Sequence, residues 1–326
     1  MEDNTQVSAL TATTPAVPKT LTLQEAFGIK SQIEVLGFEP GHPLAPMRDP
    51  NYVWEKSLIM DILEWLREPN PDPLWVTGPT GCGKTEMVVQ LAACLNAPTI
   101  IITGRRDAEP GDILGRVQLV NGSTVFIPAL PVHAYKMGWL VLIDEIDSFS
   151  PEVGVSLHRM LERKPLELEN GDVVHPAARQ LMAATANTRG DGDGGASYNG
   201  TSVFNIATLN RFEKWCLNYP APDIEESILA KHLPGFDPKG ITAMVKTAND
   251  IRQAHQQGNC PGPISIRDLV RWGRKSILSS NRKDVVNIFH SFDKAFGNGV
   301  DPHVRAMLHK LVQTNFGVQA PPTPAF

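Results

Sequence analysis

One run of residues constrains this chain more than any other: Trp75-Val76-Thr77-Gly78-Pro79-Thr80-Gly81-Cys82-Gly83-Lys84-Thr85. Apolar residues lead into a glycine-rich turn, and Glu86-Met87-Val88-Val89-Gln90-Leu91 follows with helical periodicity. Strand, turn and helix in this order are the context that the phosphate-loop pattern G-x-x-x-x-G-K-[ST] requires. Gly78, Gly81 and Gly83 allow backbone conformations closed to other residues and bring N–H groups close to phosphate oxygens. The helix N-terminus adds its positive dipole end. Lys84 can reach β- and γ-phosphates, and the Thr85 hydroxyl can ligate Mg²⁺. Gly78, Pro79, Thr80, Gly81, Cys82, Gly83, Lys84 and Thr85 are therefore the expected nucleotide-binding residues.

Around this run the chain has room for one large domain or two smaller ones in 326 residues. A net charge of -5 argues against whole-surface attraction to nucleic acid or anionic membrane, though it leaves a local basic channel open. Cys82, Cys94, Cys216 and Cys260 form no C-x-x-C pair and no zinc spacing, which points to reduced cysteines in a cytoplasmic protein. Apolar runs such as Trp139-Leu140-Val141-Leu142-Ile143 have the length of strands, far short of the ~20 residues that span a bilayer. No basic segment followed by an apolar core opens the chain, so no signal peptide is expected.

In chain order, residues 1–20 read as a disordered Thr/Ala/Pro tail and 21–55 as a small segment that packs on another surface, a neighbouring subunit being one option. Residues 56–67 carry Leu58, Ile59, Ile62, Leu63 and Leu66 on one helical stripe. Strands are expected at 98–103, 139–143, 180–186 and 214–219, alternating with helices as in a parallel sheet covered on both faces. Asn121-Gly122 and Asn170-Gly171 each sit between short alternating runs and predict two hairpins with type I′ turns. Ser150-Pro151-Glu152 has the N-cap and first-position proline of a helix start. The Gly/Asp-rich stretch 189–200 reads as a mobile loop. Past Pro220 and Pro222 the pattern turns helical, at 224–232, 240–257, 266–278, 283–296 and 304–314. The expected domains are thus 56–220 for the α/β nucleotide-binding domain and 221–317 for an all-α lid, with 318–326 a disordered tail.

Hydrolysis needs more than a phosphate loop. Leu140-Val141-Leu142-Ile143 buries a strand and delivers Asp144 and Glu145 at its C-terminal end, beside the phosphates. Asp144 can hold Mg²⁺ through water, and Glu145 can polarise the attacking water. Asn187 follows the next strand; alone it would read as a turn residue, but the alignment of strand ends places it where it can bond the γ-phosphate or the water. Arg211 is the candidate for a charge that completes the transition state, with a surface ion pair as its bland reading and Arg159 and Arg163 as rivals. Arg267, at a helix start, either reaches back to the nucleotide from the lid or is a solvated first-turn charge.

These motifs, in this order and at these separations, resemble the Walker A, Walker B, sensor 1, arginine finger and sensor 2 of AAA+ ATPases. The two hairpins resemble the insertions of the MoxR and chelatase branch. Phe27-Gly28-Ile29, Asp49-Pro50-Asn51-Tyr52, Ala184-Thr185-Ala186-Asn187-Thr188, Tyr198-Asn199-Gly200-Thr201 and Ser265-Ile266-Arg267 are most similar to the cobaltochelatase ATPase subunits of the CobS type. Asn210-Arg211-Phe212 stands where the branch commonly has Asp-Arg, and Ile266 replaces a frequent Pro; neither change removes a working group. The resemblance implies an AAA+ P-loop core, a parallel sheet sandwiched by helices with two hairpin insertions, plus the helical lid. It further implies a hexameric ring with Arg211 acting on a neighbour's ATP. The partner it implies is a von Willebrand-domain (CobT-like) protein, and the ring would remodel a large client subunit. No residue is identified as a ligand for cobalt or a corrin ring.

The alternatives are a DNA-handling AAA+ motor and a nucleotide-binding scaffold without turnover. A hairpin that tracks DNA should present Lys or Arg to phosphates. Residues 166–174 instead carry Glu167, Glu169 and Asp172 with no basic residue, and 117–126 is uncharged. The scaffold reading is disfavoured by the presence of both Glu145 and Arg211.

Overall fold

The computed structural model describes residues 16–190, 202–281 and 286–319. Most of the expected tails at 318–326 and 1–20, the Gly/Asp-rich stretch past 190, Tyr198-Asn199-Gly200-Thr201 and the start of the helix expected at 283 lie outside them. Contacts divide the chain into two compact units. The first comprises Met1–Asp49, Lys56–Gly78 and Lys84–Leu217, and the second Pro50–Glu55, Pro79–Gly83 and Asn218–Phe326.

The first unit is built on β1 (Leu74–Thr77), β2 (Thr99–Thr103), β3 (Leu140–Asp144), β4 (Met182–Ala186) and β5 (Glu213–Cys216). All pair in parallel, in the spatial order β5-β1-β4-β3-β2. Strands β1, β3 and β4 are nearly continuous apolar runs because helices cover both faces of the sheet. Trp75 sits in the core edge-on to Phe204 and Phe212, at 5.6 and 5.2 Å between ring centres. The helix α1 spans Lys56–Arg67 and buries Ile59, Ile62, Leu63 and Leu66 of the expected stripe, while Leu58 is only half-buried and Trp65, not expected there, is buried with its indole N–H donating to Asp72 O. Helix α2 spans Lys84–Cys94 and starts directly out of the phosphate loop. Further along, α3 covers Leu130–Met137.

The N-terminal segment packs within its own chain. Its antiparallel ribbon pairs Pro18–Thr22 with Glu34–Phe38, and it reaches the end of α2. Phe38 N–H donates to the Leu95 carbonyl (2.9 Å), and Arg48 Nη2 donates to the Cys94 carbonyl (2.8 Å). A guanidinium on the last carbonyls of a helix satisfies orphan acceptors and meets the negative dipole end. The segment therefore clamps the far end of the helix whose near end carries Lys84.

Both hairpins form, with different turns. Gly115–Val120 pairs with Ser123–Pro128 through Asn121 (φ 49°) and Gly122 (φ 82°), the expected type I′ geometry. The second is shorter, pairing only Leu166–Glu167 with Val173–Val174, and its turn differs from the expectation. Gly171 has φ 83° but Asn170 does not turn positive; Gly171 N–H donates to Leu168 O and Leu168 N–H to Asp172 O. Asn170 instead spends its side chain on Asp172, so an ordinary turn followed by one left-handed glycine replaces the two-residue turn. Ser150 caps the helical turn Pro151–Ser156 through Val153 N–H, as its sequence implies.

The second unit contains α4 (Pro222–His232), α5 (Pro238–Gln256), α6 (Ile266–Leu278), α7 (Asn287–Ala295) and α8 (Pro302–Phe316). Leu229, Met244, Ile251, Leu269, Trp272, Phe289 and Phe292 are its core. Inside it lies a buried ion pair: Arg252 Nη1 and Nη2 donate to the two oxygens of Glu225 at 2.8 and 2.7 Å. All four cysteines are free thiols. Among the described residues no helix is long and apolar enough to cross a membrane.

Removing one partner of a fully desolvated ion pair leaves the other charge buried and uncompensated. Glu225→Ala should therefore lower the free energy of unfolding by about 3–5 kcal/mol, read from urea denaturation.

Candidate active site

The strand order brings together side chains that are far apart in sequence. β4 lies between β1 and β3, and neighbouring strands are about 4.8 Å apart. The C-terminal ends of the three strands therefore present the phosphate loop, Asn187 and Asp144 side by side. In parallel α/β sheets this edge, where strand order departs from chain order, is where ligands bind.

Lys84 is buried, and its ammonium donates to Gly78 O and to Asn187 Oδ1, both at 2.9 Å. Thr85 Oγ1 donates to Asp144 Oδ1 at 2.6 Å, and Thr185 Oγ1 donates to the same oxygen at 2.5 Å. The structure thus joins Lys84, Thr85, Asp144 and Asn187 into one cluster. The hydroxyl and carboxylate of Thr85 and Asp144 are hard oxygen donors of the kind Mg²⁺ takes, and the buried ammonium suits a polyanion. Gly78, Gly81 and Gly83 have φ of 150°, 75° and 100°.

Glu145 is exposed and held in the left-handed region, φ 55° and ψ 46°, an uncommon conformation for a non-glycine residue. Two contacts impose it. Its backbone N–H donates to Thr185 Oγ1 at 3.0 Å. Gly104, just past β2, donates its N–H to Asp144 O at 2.6 Å, and a Cβ on Gly104 would lie 2.0 Å from Glu145 O. Non-glycine strain of this sort collects at functional sites.

Three of these residues escape a reading by motif: Thr185, Gly104 and Asp147. Asp147 is completely buried, and its Oδ2 accepts from the N–H groups of Asn187 and Thr188 (both 2.9 Å) and from Thr188 Oγ1 (3.0 Å). The carboxylate one turn past Asp144 thereby pins the backbone that carries Asn187. The signal was present in sequence as an acidic residue at a position too apolar for a surface charge, Ile143-Asp144-Glu145-Ile146-Asp147.

The arginines separate clearly. Arg163 lies in the left-handed region (φ 54°) and donates to the carbonyls of Pro71 and Gln180; burial pushes its guanidinium below its ordinary pKa. Arg159 braces the second hairpin through Pro165 O and Glu167. Arg211 keeps a quarter of its side chain exposed; it pairs with Glu162 and donates to Ala207 O. The Lys164 ammonium and the Arg211 guanidinium together hold the Glu162 carboxyl below the usual carboxylate range. Arg267 is exposed in the first turn of α6, behind the N-cap Ser265.

Residues 73–212 match the AAA domain (dynein-related subfamily). Over 92% of its length the chain is 28% identical to the aerobic cobaltochelatase subunit CobS of a Sinorhizobium species, covering 91% of that protein. It is also 28% identical to the protein NorQ of Paracoccus denitrificans, over 56% of this chain and 66% of NorQ. The same identity holds for the protein CbbQ of Hydrogenophilus thermoluteolus, over 63% of this chain and 74% of CbbQ.

Truncating Asp147 should orphan the N–H of buried Thr188 and that of half-buried Asn187. Asp147→Ala is expected to cost about 1–3 kcal/mol for each, whereas Asp147→Asn keeps an acceptor and loses less. Chemical denaturation of the two variants beside the parent checks the ordering.

Proposed function

We propose that this chain, an AAA+ ATPase of the MoxR and chelatase branch, works as a ring subunit that uses ATP hydrolysis to remodel a partner protein. The observation that carries the hydrolytic reading is the cluster at the strand ends, Lys84 on Asn187 and Thr85 on Asp144. Lys84 and the loop from Gly78 to Thr85 hold the phosphates. Mg²⁺, held by Thr85 and Asp144, would neutralise charge on the β- and γ-phosphate oxygens. Glu145 accepts the proton of the attacking water as its oxygen bonds to the γ-phosphorus and ADP leaves. Asn187 gives its carbonyl oxygen to Lys84, which leaves its NH₂ donors for that water or the γ-phosphate.

Arg211 serves a neighbour's nucleotide in trans, with Glu162 keeping its guanidinium in place. The structural bonds of Arg163 and the hairpin contacts of Arg159 favour Arg211 over both rivals. A cation in a helix's first turn opposes the dipole at a cost of a few tenths of a kcal/mol, roughly, which supports Arg267 as an anion contact rather than a structural residue.

The protein-remodelling reading draws on the similarity to CobS along nearly the whole chain. In this reading the chain works in a chelatase- or MoxR-type system, in a hexameric ring with a von Willebrand-domain partner and a large client subunit in the cytoplasm. The acidic second hairpin disfavours the DNA-handling alternative, since its Glu167 and Asp172 would face phosphates of like charge.

Glu145→Gln should retain ATP binding while turnover falls by about 10²–10⁴-fold in a coupled phosphate assay; undiminished turnover would remove Glu145 from the mechanism. If Arg211 acts in trans, mixing Arg211→Ala with Glu145→Gln subunits should restore part of the ATPase that each lacks alone. Mixed rings that stay inactive, while Arg159→Ala complements, would transfer the role to Arg159.

A further inference from the structure

The second unit contains Pro79–Gly83 of the phosphate loop, and two of its side chains bear on that loop. Tyr219 Oη donates to the Thr80 carbonyl at 2.6 Å. Ser265 packs so closely on Gly81 that a Cβ there would lie 2.2 Å from Ser265 Cβ. One residue ties both together. The Arg252 guanidinium lies 3.8 Å from the centre of the Tyr219 ring, and Arg252 Nε donates to Ile264 O, the carbonyl just before Ser265. Arg252 is itself fixed by its two bonds to the buried Glu225.

We infer that Tyr219 is a positioning residue of the phosphate loop: it holds the Thr80–Gly81 peptide in the orientation that phosphate binding needs, and Arg252 holds Tyr219. The argument is one of peptide geometry. No cis peptide bond occurs among the described residues, so the Thr80 carbonyl and the Gly81 N–H point in opposite directions. A hydroxyl that draws the carbonyl to one side turns the N–H to the other. Gly81 has φ 75°, and a glycine peptide in such a loop flips at little steric cost unless something holds it. With the carbonyl rotated inward, the same loop would face phosphate oxygens with an acceptor instead of a donor. The ring face meets a cation whose charge is already balanced by Glu225, an arrangement that fixes the ring without placing a free charge beside the loop.

The inference rests on the loop's being the nucleotide site. It is tested with full-length Tyr219→Phe, which removes one hydroxyl and keeps the ring under Arg252. Displacement of a fluorescent ADP analogue by ATP, ADP and AMP, each with Mg²⁺, gives the affinities. ATP and ADP should bind about 3- to 10-fold more weakly, the value of one hydrogen bond. AMP, which lacks the β-phosphate that the loop cradles, should change less than 2-fold, roughly, by the same reasoning. KM for ATP should rise with kcat nearly unchanged, and the melting temperature should stay with the parent's. Unchanged ADP affinity in Tyr219→Phe would overturn the inference alone. Equal weakening of AMP would also overturn it, because the hydroxyl would then act on the unit as a whole. A parent protein that binds no ADP would bring down the nucleotide site and the inference with it.

Discussion

A buried ammonium is costly unless acceptors surround it, and the arrangement around Lys84 follows from that constraint. Gly78 O and Asn187 Oδ1 are two acceptors for that ammonium, each at 2.9 Å. Asn187 can serve only because β4 lies directly beside β1, and it stays in place because Asp147 accepts from its backbone N–H. The same adjacency puts Asp144 opposite Thr85, and Thr185 on β4 ties that carboxylate to the backbone of Glu145. Hydrogen bonds thus link the members of the cluster to neighbouring strand ends.

The ends of α2 show the same economy. Its first turn carries Lys84 and Thr85, and its last carbonyls are capped by Arg48 from the N-terminal segment. A segment whose sequence has no chemistry of its own thereby holds the helix on which the phosphate site depends. In the second unit, Glu225, Arg252 and Tyr219 form a comparable chain of support that ends on the Thr80 carbonyl.

Much of this was legible in the sequence because the chemistry sits at the ends of strands. An apolar run followed by Asp144-Glu145, or by Asn187, marks its own position in a parallel sheet, and a glycine pattern before Lys84 does the same. Helix α1 and the cap of Ser150 could be read because periodicity and capping are local properties. The spatial order β5-β1-β4-β3-β2 was not readable, since it depends on pairing between distant segments. Nor were Thr185 and Gly104, whose roles exist only once β2, β3 and β4 are neighbours; Asp147 left a signal as an acidic residue among apolar ones, but its bonds to Asn187 and Thr188 depend on the same pairing. The second hairpin departs from its expected turn because the Asn170 side chain competes for Asp172, a choice that an Asn-Gly pair does not reveal. Tyr219 and Arg252 carry no motif, and only their meeting at 3.8 Å gives them meaning.

The central claim is that the strand-end cluster around Lys84 hydrolyses ATP. The direct measurement is steady-state phosphate release from ATP and Mg²⁺ by the purified chain, beside Lys84→Ala at equal concentration. The account predicts turnover in the parent and its loss in Lys84→Ala with the fold intact by circular dichroism. Phosphate release at the same rate in both proteins would contradict it.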